Sequence, residues 1–440
     1  MNQFQLFSVS DIFILLAWGF VLYWISATIK TRFGDPTINR FFYFGWGFKL
    51  FFAVTFALVY FIILNGGDIN AYWESATTLN KLFVSNPSGY FQELWHTDRT
   101  LGISLHFNAE TGYPPGWIWR ETEAWNAAKI LSLFSIVTFN SFFATTLLLA
   151  SVVFFISWMI SFRILKEENI SSLAVMIAFV FFPSVTFWCS GIGKDSLVYG
   201  IALLLIYQLF SLLKWDKVFS IKRLLFALFL FYFLYGLRHF IALAVVVPFI
   251  LALTIRFANR WRQRPILLIL FRIIIYSLTI TLFFYFANND QTKKLIAEAQ
   301  ITQNDFSQNP IYTGAKYKIE GTDGSTLALV QSFPQAVFIA LYRPFLTDNL
   351  GNNFLINGLE SAVLMLLSFF FIFNRNLFSN IAYIYRSEFA VYSLTFVLII
   401  AFMAGYTSIL FGVLVRIRAI ALPFFFLILT FRKKEVNPKI

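Results

Sequence analysis

The sequence predicts an all-α fold, a polytopic bundle of transmembrane helices. Of its 440 residues, 59% are hydrophobic and 13% are charged, whereas about a quarter of the residues in soluble domains are charged. Apolar runs of about 20 residues, enough to cross the hydrocarbon core as a helix, recur along the chain. Helices satisfy their own backbone hydrogen bonds in lipid. We therefore expect one integral membrane domain over residues 1–440.

About eleven segments have the length and hydropathy of a membrane span. They lie at 12–29, 42–64, 141–161, 172–189, 195–213, 222–237, 239–255, 265–286, 354–373, 389–405 and 417–431. Lysines and arginines gather in alternate connections, starting with the one after the first span, as they do in cytoplasmic loops. This pattern predicts an N-terminus outside the membrane and a C-terminus in the cytoplasm. It also explains the net charge of +12 without nucleic-acid binding.

Two connections on the predicted outer face, 65–126 and 287–353, are much longer than a turn between helices requires. Long connections of this kind are usually functional or disordered, and the aromatic and proline residues of 65–126 argue against disorder. In the second connection, residues 327–346 are apolar but contain Pro334 and Pro344. We interpret them as an interfacial or re-entrant helix on the outer membrane surface.

Asp68 follows Gly66 and Gly67 directly after the second span. A carboxylate at the membrane surface has the chemistry of a general base or a metal ligand, because partial desolvation raises its pKa. Aspartate is also a preferred N-cap residue, and the segment that follows has the pattern of a helix. Both interpretations stay open.

Aromatic residues accompany this aspartate in the same connection. Tyr72 and Trp73 follow it closely, and Tyr113, Pro114 and Pro115 form a rigid turn later on. Such residues can form one wall of an acceptor or sugar pocket. For the Tyr-Pro-Pro turn we favour the alternative, an aromatic belt that anchors the next helix at the membrane interface.

Basic residues on the predicted outer face are candidates for phosphate binding. Lys194 opens a helix after Ser-Gly-Ile-Gly, and a helix N-terminus with an adjacent lysine suits an anion; alternatively, Asp195 caps that helix and Lys194 snorkels to the surface. Arginine matches phosphate oxygens in pairs, and ionisable residues near the membrane are functional candidates. The arginines concerned are Arg238, Arg343, Arg416 and Arg418. We expect at least one of them to form a structural ion pair. For Glu360 we favour a pair with Arg343 or Arg416 over the alternative, a role in carrying protons.

Several sequence signatures are absent. Cys189 is the only cysteine, so no intrachain disulfide or cysteine-based zinc site can form. The chain contains no GxxxxGK[ST] phosphate loop and no HExxH motif. ATP-driven transport and zinc-dependent hydrolysis are therefore poor interpretations.

The segment GGDINAYW and the turn Tyr113-Pro114-Pro115 resemble the first outer loop of polytopic GT-C glycosyltransferases, which include bacterial enzymes that use polyprenyl-phosphate sugars. The later motifs FPSVTFWCSGIGKDS, YRPF and VRIRAIALPF look like those of bacterial membrane proteins encoded with surface-polysaccharide functions. The resemblance implies that Asp68 is the catalytic base and that basic residues engage the lipid phosphate. Asn70 stands where a DxD-like pair would have its second acid, so the need for a divalent cation stays open.

These observations together predict a glycosyltransferase of the bacterial plasma (inner) membrane. It would move a sugar from a polyprenyl-phosphate donor to a lipid-linked glycan or another envelope acceptor, in contact with membrane lipid and without nucleic acid. A polymerase of O-antigen or exopolysaccharide is the nearest alternative. A transporter or flippase of lipid-linked glycans predicts inverted repeats, which we do not detect. A non-enzymatic subunit of an envelope assembly machine is the last alternative.

Overall fold

The computed structural model describes residues 9–430 except 65, 169, 217–218, 261–265, 268, 271–272, 275–276, 278–289, 310–313, 320–325, 349–354 and 375. The chain is 81% helical and forms no strands in the part described. A single antiparallel bridge joins Lys316 to Leu410. The predicted all-α class is confirmed.

The described α-helices are numbered α1 to α19 in chain order. Helices α1 to α10 are Val9–Arg32, Phe42–Leu58, Gly67–Ser85, Pro87–Trp95, Gly116–Arg120, Thr122–Val137, Phe142–Glu167, Ser172–Met176, Pro183–Trp188 and Lys194–Phe210. Helices α11 to α19 are Ile221–Leu237, His239–Arg260, Asp290–Gln308, Thr326–Tyr342, Leu355–Ile372, Leu377–Ile384, Glu388–Thr407, Phe411–Arg418 and Leu422–Thr430. Short π-helical segments extend α2, α8 and α10 to Ile63, Phe181 and Trp215.

Seven described helices are long and apolar enough to cross a membrane. They are Val9–Arg32, Asn39–Ile63, Phe142–Glu167, Lys194–Trp215, His239–Asn259, Leu355–Ile372 and Glu388–Thr407. Helices α18 and α19, bent by 63° at their junction, raise the number to eight if they form one broken span. The chain therefore has the helices of a multi-pass membrane protein.

Even with the broken span counted, eight spans are fewer than the eleven predicted, for three reasons. The predicted span 172–189 is interrupted: Phe182 is extended before Pro183, so the apolar helix Ser172–Phe181 stops after 10 residues. A proline lacks the backbone N–H that would continue the helix. The predicted span 222–237 corresponds to α11, a helix of 17 residues that is not among the seven. The predicted span 265–286 lies mostly outside the described residues.

The chain divides into two compact units, Met1–Ala242 and Leu243–Ile440. In the first unit, α7 lies at the centre and packs against α1, α2, α6 and α10. Its Trp158 is fully buried and meets the ring of Phe42 edge to face at 4.8 Å between centroids. The same indole donates a hydrogen bond to the carbonyl of Phe33 at 3.0 Å. Aromatic packing thus fixes the two N-terminal helices against α7.

The long connection 65–126 is a folded helical layer. Helix α3 packs along α6 and contacts α4 and α5. Trp125 of α6 is fully buried, and its indole N–H lies 2.8 Å from the hydroxyl of Thr97 and 3.3 Å from a carboxylate oxygen of Glu93. A buried donor with satisfied hydrogen bonds specifies one packing arrangement. This layer therefore holds its polar side chains in fixed positions.

In the second unit, α14 covers residues 326–342 and corresponds to the predicted interfacial helix. It packs along α17, and Gly405 of α17 lies directly against the backbone carbonyl of Ala336. Small residues permit such a close approach of two helices. The Tyr317 hydroxyl, a single donor, lies within hydrogen-bonding distance of backbone carbonyls at the end of α17, including that of Gly405 at 3.0 Å. The C-terminal end of α17 is thereby capped by side chains.

Candidate functional site

Asp68 is half-buried in the first turn of α3. The N-cap of this helix is Gly66, with φ +101°, and Gly67 also has a positive φ of +45°. Asp68 therefore lies two residues after the N-cap, and the alternative that Asp68 is itself the N-cap is wrong. Its carboxylate lies where the helix dipole favours a negative charge.

The second span positions the start of α3 and the start of α10. A side chain at Gly67 would lie 3.3 Å from the Tyr60 ring, and one at Gly191 would overlap the Phe56 ring. The rings of Phe56 and Tyr60 pack together, 4.7 Å between centroids. These residues are four positions apart, about one helical turn. The helices that begin near Asp68 and at Lys194 thus abut neighbouring turns of the same span.

Six ionisable side chains form a charge cluster at the ends of four helices in the first unit. They are Glu121, Glu123, Lys194, Asp195, Arg238 and His239. Glu123 accepts hydrogen bonds from the Lys194 ammonium at 2.8 Å and from His239 Nδ1 at 2.9 Å. Arg238 lies 3.0 Å from Asp195. Opposite charges therefore alternate through the cluster.

The sequence places each carboxylate of the charge cluster near a helix N-terminus. Glu123 is in the first turn of α6, and Asp195 is in the first turn of α10. The backbone N–H of His239, the first residue of α12, also lies 3.3 Å from Glu123. Helix dipoles stabilise negative charge at these positions. Three N-termini and two basic side chains therefore support the anionic forms.

The pKa of Glu123 shows how strongly its neighbours stabilise the ionised carboxylate. Burial raises the pKa of the Glu123 carboxyl, but the hydrogen bond from His239 and the charges of Lys194 and Arg238 outweigh burial and lower it from 4.5 to about 2. Glu123 is consequently ionised throughout the physiological pH range and can only accept hydrogen bonds.

Lys194 is held by two carboxylates of unequal exposure. Its side chain is 9% exposed, against 24% for Glu123 and 51% for Glu121. The Lys194–Glu121 distance is 3.3 Å, longer than the 2.8 Å to Glu123. The expectation that Lys194 snorkels to the surface is wrong, because its ammonium is buried among carboxylates. The pair with the exposed Glu121 therefore contributes less than the pair with Glu123, since exposed pairs contribute little.

The aromatic residues predicted to form one wall pack against different parts of the first unit. Tyr72 meets Trp117 of α5 edge to face at 6.5 Å, so α3 contacts the helix that leads into Glu121. Trp73 instead packs on Phe142, 5.2 Å between centroids. In the turn, Tyr113 is exposed, Pro114 is buried and Pro115 is half-buried. Tyr72 and Trp117 therefore form the aromatic link towards the charge cluster.

The remaining candidate arginines belong to the second unit and make contacts there. Arg343 forms two hydrogen bonds to Asp348, at 2.5 and 3.2 Å. Arg418 is 1% exposed; it donates to the backbone carbonyls of Ala340 and Arg343, and its guanidinium lies 3.7 Å from Glu360. Arg418 thus has the contacts of a structural ion pair. Arg416 is half-buried on α18.

Sequence reasoning did not single out Glu121, Glu123 or His239 as site residues. The available signals were weak: two acidic residues at the end of the first connection, and a histidine next to Arg238. Among the residues that the structure describes, no group of three or more His, Cys, Asp or Glu side chains converges as metal ligands.

The fold and this site define a multi-pass helical membrane protein. Its first unit contains a charge cluster, and the helices that begin near Asp68 and at Lys194 both abut the second span. No family model, curated protein or solved structure matches the chain.

Proposed function

We propose that the protein is a membrane glycosyltransferase that takes a sugar from a polyprenyl-phosphate donor and passes it to a hydroxyl of a lipid-linked glycan or other envelope acceptor on the outer face of the bacterial plasma membrane. One observation supports this proposal most. The helix that carries Asp68 and the helix that begins at Lys194 abut neighbouring turns of the second span. A candidate base and a candidate phosphate ligand therefore share one support.

The charge cluster is suited to hold the donor phosphate. Lys194 and Arg238 are its lysine and arginine side chains, and the partly exposed Glu121 is the weakest of their anionic partners. A phosphate that replaces Glu121 meets the ammonium without displacing Glu123. Positive charge at this point stabilises the phosphate that leaves when the glycosidic bond breaks. The donor's hydrocarbon tail remains in the bilayer.

Asp68 is the group that would remove the proton from the acceptor hydroxyl. General bases of this kind accelerate reactions by about 10² to 10⁴-fold. The exposed Trp117 would form the adjacent wall of the sugar pocket, since aromatic faces pack on sugar rings, and the buried Tyr72 would support it from behind. In the second unit, the contacts of Arg418 favour a structural role over phosphate binding.

The experiment is sugar transfer in liposomes that contain the purified full-length protein. Labelled sugar on polyprenyl-phosphate donors is offered to wild type, Asp68→Asn and Glu110→Gln at equal protein content. Glu110 is an exposed acid in the same connection and serves as the matched control. We expect transfer by wild type and Glu110→Gln, and a loss of at least 100-fold for Asp68→Asn. Equal rates for all three proteins would remove Asp68 from the mechanism.

A polysaccharide polymerase is the alternative that the same cations support, because they suit a pyrophosphate equally well. It is distinguished by the donor. If no monosaccharide donor is used but an oligosaccharide on polyprenyl pyrophosphate is extended, the polymerase replaces the single-sugar transferase. If neither donor reacts, the proposed function is wrong.

A further inference from the structure

His239 differs from the other members of the charge cluster in its exposure. Its side chain is 41% exposed, although Nδ1 lies 2.9 Å from a carboxylate oxygen of Glu123, whose side chain is 24% exposed. It is also the only member whose charge ordinarily changes near neutral pH. The Nδ1 edge of this imidazole is therefore held by Glu123, while the rest of the ring is exposed at the surface of the cluster.

The ionisation of Glu123 determines the tautomer of His239. A carboxyl whose pKa is about 2 is a carboxylate at neutral pH and has no proton to donate. The hydrogen bond between Glu123 and Nδ1 must therefore be donated by Nδ1. The second proton of the imidazolium can then reside only on Nε2. A carboxylate that holds Nδ1–H also stabilises the imidazolium.

The charges around His239 favour anion binding when its imidazole is protonated. Two cations, Lys194 and Arg238, face three carboxylates, Glu121, Glu123 and Asp195. When a phosphate displaces Glu121, the remaining side chains of the cluster have no net charge if the imidazole is neutral. If the imidazole is protonated, they have one net positive charge. The protonated form of His239 is consequently the form that complements a phosphate.

We propose that His239, positioned by Glu123, is the general acid that protonates the departing phosphate. The inference rests on the proposed function and adds a second group to it. The acceptor oxygen forms a bond to the anomeric carbon and gives its proton to Asp68. The bond from that carbon to the phosphate oxygen breaks, its electron pair stays on oxygen, and the proton on Nε2 passes to the phosphate. The imidazole regains a proton from water after the phosphate leaves.

Two substitutions at His239 distinguish proton transfer from hydrogen bonding. His239→Asn keeps an amide donor near the position of Nδ1 and removes Nε2. His239→Gln places an amide donor near Nε2, which can contact phosphate but cannot transfer a proton. His96→Gln is the matched control, because His96 is an exposed histidine outside the cluster. Dye labelling of the buried Cys189 reports whether each variant is folded.

The test measures kcat and KM for transfer between pH 5.5 and pH 9 with the full chain in liposomes. Besides Glu123, the titratable groups that the described residues place in the cluster or against the imidazole are Glu121 on the α6 side, Lys194 and Asp195 of α10, and Tyr235 and Arg238 at the end of α11. We expect the wild-type kcat to fall at alkaline pH as the imidazolium is lost. Both His239 variants should lose about 100-fold in kcat, with KM changed less than threefold for His239→Gln, and should lack the alkaline decrease.

The outcomes distinguish the two proposals. If wild type transfers sugar and a folded His239→Gln or His239→Asn keeps the wild-type kcat and alkaline decrease, His239 is not the acid and the proposed function stands. If the wild type transfers no sugar from any donor, both proposals are wrong. An alkaline decrease that disappears in His96→Gln as well would also refute the role of His239.

Discussion

Replacing Glu123 by glutamine tests the energetics of the charge cluster directly. The substitution keeps the size of the side chain but removes the charge that faces the buried Lys194. The change in the pKa of Glu123 from 4.5 to about 2 corresponds to about 3 kcal/mol of stabilisation of the carboxylate. Because a quarter of the Glu123 side chain is exposed, solvent screening reduces this value, and we expect about 2 kcal/mol.

The sign of the pH dependence follows from the same pKa. A carboxyl whose pKa is lower in the folded protein contributes its full stabilisation above pH 4.5 and loses it as the pH falls towards 2. The stability difference between wild type and Glu123→Gln is therefore largest at neutral pH and shrinks below pH 4.5. At pH 7 we expect Glu123→Gln to melt about 4 to 8 °C lower, taking the usual response of a unit of this size.

The assay is intrinsic tryptophan fluorescence during thermal unfolding, at pH values from 7 to 3. Eleven of the twelve tryptophans precede residue 243, so the signal reports the first unit. Glu110→Gln, which removes an exposed carboxylate of the same connection, should melt like wild type throughout. Equal melting of wild type and Glu123→Gln at pH 7, or a difference that grows on acidification, would refute this account of the cluster.

Three further perturbations address other buried contacts. Arg418→Met should destabilise the second unit by about 3 to 5 kcal/mol, because it removes a buried guanidinium that lies 3.7 Å from Glu360 and donates to the carbonyl of Ala340, and far-UV circular dichroism in an SDS titration measures it. Gly405→Ala should cost about 1 to 3 kcal/mol in the same titration, since the added methyl meets the carbonyl of Ala336. Burial lowers the pKa of Lys129 to about 8. Tryptophan melts should therefore show wild type gaining stability over Lys129→Met by about 2 kcal/mol as pH rises from 8 towards 10.5.

Each of these outcomes has a control or a contrary result. Gly47→Ala adds a methyl where no atom lies within 4 Å and should be neutral or slightly stabilising; a similar loss at Gly405 and Gly47 would indicate a general effect of the methyl group. For Arg418, unchanged stability of Arg418→Met would show that the buried ion pair is dispensable. A pH-independent difference for Lys129 would show that its ammonium is not desolvated.

The helices were the part of the fold that sequence could predict. A bilayer leaves an apolar segment no other way to satisfy its backbone, so α1, α7 and α17 follow from local composition alone. The interruption at Pro183 had a local signal, the proline itself, but a hydropathy pattern does not distinguish a straight span from a broken one. The number of spans therefore depended on a backbone detail that composition does not record.

The candidate site was only partly predictable for a different reason. Lys194 and Arg238 were recognisable because a charge near the membrane is costly. Their partners depend on the meeting of helix ends more than 40 residues apart in the chain: Lys194 is separated from Glu123 by 71 positions, and His239 from Glu123 by 116. No periodicity or spacing specifies such a meeting. The roles proposed for Asp68 and for the cations remain predictions that transfer assays will test.

The contacts of Gly67 and Gly191 with the second span imply that the positions of two helix starts depend on the absence of a side chain at these residues. A library of variants would show intolerance at these two positions even though neither glycine has a functional group. Variants with a larger residue at either glycine should reach the membrane in normal amounts, because a shifted helix start leaves the apolar surface intact. In these variants the helix starts near Asp68 and Lys194 would be displaced from each other. A compensating smaller residue at Phe56 or Tyr60 should restore their positions.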